Sequence, residues 1–462
     1  AKLHELQSSN GGFVWFKGGP DDRYMTQYIM TGVGHLKKLQ VNTKNDLLEE
    51  MVKKALPYLD ERIKEDYEHM LKINKGKEDS DYISPLHIQY LYMRSFYPEA
   101  GVPGGVFKAY NYYRTQAQKN WVKQSRYMQG MIALSLFRTG DVQTANNIVK
   151  SIKENAIHNE EMGMYWKEFT GGYYWYQSPI EIQSLLIETF TEVTKDITAV
   201  NDMKLWLLKQ KQTQDWKTTK ATADACYALL LQGSDLLTNT PEVTIDLGNT
   251  IIRSKDQQQE AGTGYFKKVF DEKQVKPEMG NIKVTITNNS SPTGGGREGA
   301  AAAWGAVYWQ YFENLDKITP AATPLQLTKK LFVEKNTDRG PVLQPINEGQ
   351  PLKVGDKVKV RIELRVDRAM EYVHMKDMRA ACMEPVNVIS QFKWQGGLGY
   401  YETTKDASTN FFFGQLPKGT YVFEYPLFVT HTGTFSNGIT TIQCMYAPEF
   451  TSHSEGVHVT VE

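Results

Sequence analysis

The chain has 462 residues, of which 40% are apolar, and it carries 53 basic and 53 acidic side chains. That length and apolar content predict two or three domains with sizeable cores. The balanced charge excludes duplex nucleic acid or an anionic membrane as the main partner, because either needs a basic excess on one face. No apolar run reaches the ~20 residues of a membrane helix, and no signal-peptide pattern opens the sequence. The 26 Tyr, 19 Phe and 9 Trp point to aromatic-rich cores, with carbohydrate binding as the alternative.

In chain order, Ala1 to Gln7 reads as the inside of a helix, the expectation for a piece cut from a longer protein. Asn10-Gly-Gly-Phe-Val-Trp-Phe-Lys-Gly-Gly19 follows and feeds an amphipathic helix over Tyr24–Leu36. Asp46–Leu71 is the next, with Leu47, Leu48, Met51, Val52, Ala55, Leu56 and Leu59 on one face. Ser84-Pro85 starts another, proline fitting a first helical turn. Gln124–Arg138 and Asp141–Ile157 predict a hairpin closed at Thr139-Gly140, since glycine is the usual helix stop. Helices over Pro179–Val193, Ile197–Lys211 and Thr219–Leu231 complete the set, and short links make neighbours antiparallel. Gln7-x-x-x-Gly11-x-Phe13 and Gln210-x-x-x-Gln214-x-Trp216 share one spacing, and Gly171-Gly-Tyr-Tyr-Trp-Tyr176 is a related aromatic turn. The shared spacing resembles the glutamine/tryptophan turn of the terpenoid-cyclase toroids. That resemblance implies a structural staple between hairpins in an α/α toroid, with the glutamine capping a helix end.

Beyond Gly233 the pattern alternates. Pro241–Gly248 and Gly280–Thr287 read as strands, and Asn288–Gly296 as a loop. Ala300–Phe312 returns to helix on the strength of its alanines. Leu331–Lys335, Lys357–Val366, Tyr421–Tyr425 and His458–Val461 are short alternating strands separated by turns at Gly355-Asp356, Pro417–Gly419 and Ser436–Gly438, which predicts a two-sheet sandwich. The expected division is residues 1–238 a toroid, 239–299 an inserted β segment, 300–318 a last toroid helix and 319–462 a β-sandwich.

Gly-Gly-Phe-Val-Trp-Phe-Lys-Gly-Gly19 with Tyr24–Tyr28 resembles the thioester-type helical domain of bacterial alpha-2-macroglobulins. Trp304–Phe312 with Asn314–Ile318 is similar to the link that follows that domain. Asp367–Tyr372, Ala380–Pro385, Leu416–Tyr421, Gly433–Phe435 and Tyr446–Glu449 are similar to the family's terminal macroglobulin domain, an immunoglobulin-like sandwich. The resemblance implies the C-terminal portion of a protease trap that works in the periplasm or cell envelope. Its partners would be proteases met through the full-length protein, with other envelope proteins possible. It also implies a Cys-x-Glu-Gln thioester, in which the glutamine acyl group is held on a cysteine leaving group. Cys226-Tyr-Ala-Leu229, Cys382-Met-Glu-Pro385 and Cys444-Met-Tyr-Ala447 all lack that glutamine. The expectation is no thioester chemistry in this chain, whose role in the trap is then structural, with the reactive motif and the bait upstream of it.

The remaining chemistry is sparse. The three cysteines are an odd set and far apart, so at most one bridge could form. Cys226 is expected on an apolar helix face as a small buried hydrophobe. His35, His69 and His87 sit singly on helices, Asp79-Ser-Asp81 lacks the rest of a calcium loop, and Gly294–Gly296 is not followed by Lys-Ser/Thr, so no metal, cofactor or phosphate site is expected. A toroid joined to a sandwich is also an architecture of polysaccharide lyases and glycosidases, whose candidates here would be Glu168, Tyr173, Tyr174 and Trp175, or Asp21, Asp22 and Tyr24. Asp21 and Asp22 read more simply as helix caps. A third reading is an envelope docking module with a surface contact at Tyr446, Pro448 and Glu449, a stretch that also reads as a β-turn.

Overall fold

A computed structural model describes residues 2–41, 46–78, 82–167, 178–231, 242–260, 264–287, 305–315, 317–347 and 350–462. The chain divides into two compact units, Ala1–Leu208 with Trp216–Ala303, and Lys209–Asp215 with Trp304–Glu462. A helical region is thus followed by a β-sandwich. The Gly171–Tyr176 turn, Asp79–Asp81 and the glycines at 294–296 lie outside the described residues.

Among the described residues the first unit holds α1 (Arg23–Lys38), α2 (Asp46–Ile73), α3 (Pro85–Arg94), α4 (Gly104–Asn120), α5 (Arg126–Arg138), α6 (Val142–Glu154), α7 (Pro179–Thr189), α8 (Ile197–Thr213, whose last turns group with the second unit) and α9 (Thr219–Leu230). Their starts are written locally. Asp22, Ser84, Ser125, Asp141 and Thr218 each cap a helix by accepting from the backbone N–H three residues on. The α5–α6 turn passes through Gly140 at φ +93°. The periodic signal of α4 is weak, because its glycine pair opens the helix and its buried face mixes Val106, Ala109 and Ala117 with Tyr112, Tyr113, Gln116 and Asn120.

The odd-numbered helices pack in succession, α1 on α3, α3 on α5, α5 on α7 and α7 on α9, while α2 lies on α1 and α4, and α6 on α5. Gln7 ties the start of this unit together: its amide donates to Gly11 O (3.0 Å) and to Met51 O on α2 (2.9 Å). Phe13 beside it is fully buried. Gln183 on α7 repeats the device, donating to Met164 O and Met203 O. Short strands β1 (Phe13–Val14) with β2 (Asp21–Asp22) and β3 (Ile157–Asn159) with β4 (Gly163–Tyr165) edge the helices, and β5 (Glu242–Leu247), β6 (Thr250–Arg253) and β7 (Ile282–Thr287) form a small antiparallel sheet.

In the second unit the strands are β8 (Leu325–Thr337), β9 (Gly340–Pro345), β10 (Lys357–Val366), β11 (Met370–Met378), β12 (Met383–Pro385), β13 (Gln391–Gln395), β14 (Leu398–Lys405), β15 (Ser408–Leu416), β16 (Gly419–Val429), β17 (Gly433–Ser436), β18 (Thr440–Cys444), β19 (Ala447–His453) and β20 (His458–Val461). They build a five-stranded sheet in the order β12-β16-β10-β8-β9, a six-stranded sheet β13-β14-β15-β11-β18-β19, and the pair β17-β20. Val358, Val360, Ile362, Leu364 and Val366 of β10 alternate inward, as a strand with one buried face must.

Two expectations fail here. Residues 305–315, inside the stretch expected as a last helix over 300–318, are not helical. Val307, Tyr308, Trp309, Tyr311 and Phe312 are exposed, and alanine propensity without a buried apolar face is too weak to hold a short helix. Cys226 is exposed, not buried. The buried side of α9 is Ala221, Ala225, Tyr227 and Ala228, and one residue past Ala225 turns Cys226 away.

A Cβ on Gly11, whose φ is +98°, would stand 2.1 Å from Lys54 O on α2. Gly11→Ala is therefore expected to cost roughly 2 kcal/mol or more, from backbone strain plus a clash that α2 must yield to. A shift of the urea midpoint for the helical unit measures it, and an unchanged midpoint would contradict the tight approach.

Candidate functional site: the axial polar column of the helical unit

The inward faces of α1, α3, α5, α7 and α9 meet along one axis. Tyr28, Gln89, Tyr127, Glu181 and Lys220 line one level of a shared cavity; His35, Tyr92, Glu188 and Tyr227 line another. On each of the four helices common to both levels the first residue precedes the second, so these helices run parallel, as the inner layer of a toroid requires. The His35 ring stacks on Tyr227 with centroids 3.7 Å apart, bringing α1 against α9 and closing the circle.

Glu188 on α7 is the centre of the second level. Its carboxylate accepts from Arg138 Nη2 on α5 (2.6 Å), from the Tyr227 hydroxyl on α9 (2.8 Å) and from the Tyr92 hydroxyl on α3. Since Tyr92 donates to Glu188, its oxygen is free to accept, and His35 Nε2 on α1 stands 3.0 Å from it. That order assigns the ring proton of His35 to Nε2. Arg138 also reaches Glu192, which holds Lys38. One carboxylate thus links five helices.

The protonation states follow from burial and charge. Burial works to raise the Glu188 carboxyl, but Arg138, His35, Lys38 and the Tyr92 hydrogen bond outweigh it and hold it at about 2. Loss of water pushes His35 below its ordinary value, so the ring is neutral at neutral pH. Parallel helices also aim their C-termini at this level, where Arg138, Lys37 and Lys38 oppose the negative helix ends. At the other level burial pushes Glu181 up, and Lys220 sits between Asp224 (2.7 Å) and the faces of Tyr28 and Tyr127. The cavity itself is about 30 Å³. That admits a water or two and no sugar ring.

The sequence-derived candidates fall elsewhere. Asp22 caps α1 through Met25 N, and Asp21 accepts from the Tyr58 hydroxyl (2.5 Å) and Asn10. Both carboxylates are thus engaged in local structure. Tyr24 stacks on Tyr28. Glu168, Tyr173, Tyr174 and Trp175 lie outside the described residues. His87 is buried, with Nδ1 accepting from Ser84 N and Nε2 facing Asp66 (3.0 Å); His69 is exposed. Among the described residues no cluster of His, Cys, Asp and Glu could hold a metal, and no helix is long and apolar enough to cross a membrane. The axial set was missed from sequence, although Glu188 within Ile182–Phe190 is the kind of acid in an apolar run that demands a buried partner.

In the β unit Met445 and Tyr446 are the two-residue connection between β18 and β19, and Pro448 and Glu449 begin β19. Tyr446 is 79% exposed and meets the edge of Tyr372 at 5.3 Å; Tyr372 itself has φ +54°. Glu449 accepts from Gln212, a residue grouped with this unit.

Residues 325–449 match the family model described as the bacterial alpha-2-macroglobulin MG10 domain. Over that range the chain is similar to the MG10 domain of the bacterial alpha-2-macroglobulins. Solved structures similar to the whole chain include Escherichia coli alpha-2-macroglobulin activated by porcine elastase, at 14% identity and TM-score 0.40, with 100% of this chain and 38% of that one covered. The trypsin-activated Escherichia coli protein stands at 13% identity and TM-score 0.41, with 100% and 29% covered. A native Escherichia coli fragment running from domain MG7 to the C-terminus stands at 12% and 0.30, with 100% and 66% covered. The chain thus spans well under half the length of the first two. No curated protein sequence matches it significantly. The MG10 strands include β8, β10, β11 and β16, and the candidate contact at Tyr446, Pro448 and Glu449 is the last part of the matched range.

Glu188→Ala is expected to cost roughly 2–4 kcal/mol, since it leaves the buried Tyr92 and Tyr227 hydroxyls without their acceptor and Arg138 with Glu192 as its remaining carboxylate. Double substitution of Glu188 and Arg138 by Leu and Met would not restore stability, because Tyr92 and Tyr227 would still have lost their acceptor and Glu192 one of its two cations; urea titration of the three proteins checks this. Burial depresses both His35 and His87 in the folded state. Their contribution to stability is therefore complete above the unfolded histidine value of about 6.5 and is lost as the pH falls through the folded values. Glu188 adds a second loss between about 4.5 and about 2. Hydrogen exchange at the helix amides, followed from pH 7 to 4, is expected to accelerate beyond the intrinsic pH dependence of exchange, and less so in His87→Gln.

Proposed function

We propose that this chain is the C-terminal portion of a bacterial protease trap of the alpha-2-macroglobulin kind, and that its own part in the trap is structural. The observation that carries the reading is the MG10 match over residues 325–449. A preceding helical unit with parallel inner helices is what the thioester-type domain of such a protein would require.

The chemistry of the chain supports a mechanical contribution. An internal thioester needs a cysteine and, three residues on, a glutamine; Leu229, Pro385 and Ala447 occupy those places after the three cysteines. The helical unit is instead organised around a carboxylate with no vacancy. Glu188 is buried and answered by Arg138 and two hydroxyls, which suits a rigid body that moves as a whole when a trap closes, as packed units with fixed polar networks do. The outward presentation of Tyr446 beside Tyr372 suits a surface through which the β unit meets another part of the whole protein. The setting proposed is the periplasm or cell envelope, where such traps meet foreign proteases.

The full-length protein is expected to cage a broad-specificity protease after being cleaved by it. The caged enzyme would keep its activity on a small peptide substrate and lose most of it on a large protein. Equal activity on both substrates after cleavage would sink the trap reading. The present chain alone, incubated with an isotopically labelled primary amine, is expected to incorporate none, since it holds no acyl–thiol pair; stoichiometric incorporation would contradict the structural role.

A further inference from the structure

Within the β-sandwich, one lysine and one aspartate face each other across the two sheets in direct contact. Lys329 belongs to β8 of the five-stranded sheet and Asp377 to β11 of the six-stranded sheet. Nζ lies 2.7 Å from Oδ1, and the two side chains are 1% and 0% exposed. In every other described lysine–carboxylate pair the lysine keeps at least 22% of its side chain exposed. We propose that Lys329 and Asp377 condense to an intramolecular amide that covalently joins the two sheets.

The surroundings suit the product better than the reactants. An ion pair this far from water retains a large desolvation cost, whereas an amide buries no charge and costs little once hydrogen-bonded. The hydrogen bonds of that amide are already in place. Nζ donates to Met378 O at 2.6 Å, which is where the amide N–H would point. Asp377 Oδ2 accepts from the Tyr425 hydroxyl, the partner a retained carbonyl oxygen needs. Oδ1 accepts from the Thr440 hydroxyl at 2.6 Å and is the oxygen nearest the amine, hence the one that leaves.

The step balances without any co-reactant. The ammonium passes a proton to the carboxylate, and the freed lone pair of Nζ attacks Cγ, forming the C–N bond. The Cγ–Oδ1 bond breaks and Oδ1 departs as water with two of the three original ammonium protons; the third stays on the amide nitrogen. The Tyr425 hydroxyl polarises the carbonyl and supports charge on Oδ2, and the Thr440 hydroxyl supports the leaving oxygen, the positions at which a donor lowers the barrier to acyl transfer. Holding two reactants in contact within a rigid core can supply effective concentrations on the order of 10⁵–10⁸ M. The bond would close a loop from residue 329 to residue 377 and limit how far the sheets can separate.

Intact mass of the purified chain tests this without any variant. The expected mass is lower than the sequence sum by one water, and a protease digest yields a branched peptide containing both residues. Lys329→Arg, which keeps the charge and lacks the nucleophilic amine, is expected to recover the full mass. A wild-type mass equal to the sequence sum, with Lys329 and Asp377 in separate linear peptides, overturns the proposal and leaves a permanent ion pair. A water lost from any other site, located by fragmentation, overturns it equally.

Discussion

The inner helices depend on the buried negative charge of Glu188. Glu188 cannot be left alone out of water, and the groups that answer it come from four other helices: His35 through Tyr92, Arg138, and Tyr227. Tyr92 and Tyr227 are buried, His35 and Arg138 are largely so, and each needs its partner, so the requirement is mutual. Apolar packing by itself would let the hairpins slide against each other, since leucine and methionine faces accept several registers. A network of directional bonds accepts one. The parallel arrangement adds to this, because the helix ends that gather at Glu188 carry partial negative charge and attract Arg138, Lys37 and Lys38 to the same level.

The β unit solves its packing in a comparable way. Its sheets are held by ordinary alternation, with Val358 to Val366 on one side and Val373, Met375, Phe411 and Phe413 on the other. Yet its middle is crossed by a charge pair, Lys329 and Asp377, with both carboxylate oxygens occupied by hydroxyls. Both units therefore place their most demanding electrostatics at their centres, where a displaced element would expose an unpaired charge.

For the functional reading, the chemistry that is missing matters as much as the geometry. A helical toroid in an enzyme usually opens its axis to a substrate. Here the axis is filled by mutually bonded side chains around a cavity of about 30 Å³, and Asp21 and Asp22 are consumed by Tyr58 and by the first turn of α1.

The sequence alone determined where most helices begin and end, because those signals are local, but of the strands in the β unit it marked only those at β8, β10, β16 and β20. Asp22, Ser84, Ser125 and Thr218 sit where helices start, Gly140 sits where one stops, and the alternation of Lys357–Val366 coincides with β10. It also located the Gln7 staple and the residues that resemble the macroglobulin family. It did not reveal α4, whose buried face mixes small apolar residues with tyrosines and amides, and it overrated Ala300–Phe312, where propensity had no packing to support it. Nor could it bring His35, Tyr92, Arg138, Glu188 and Tyr227 together, or Lys329 to Asp377. Those residues are scattered along the chain, and each is unremarkable among its neighbours. Only the closing of the helices into a circle, and of two sheets into a sandwich, removes their water and makes each one necessary to the others.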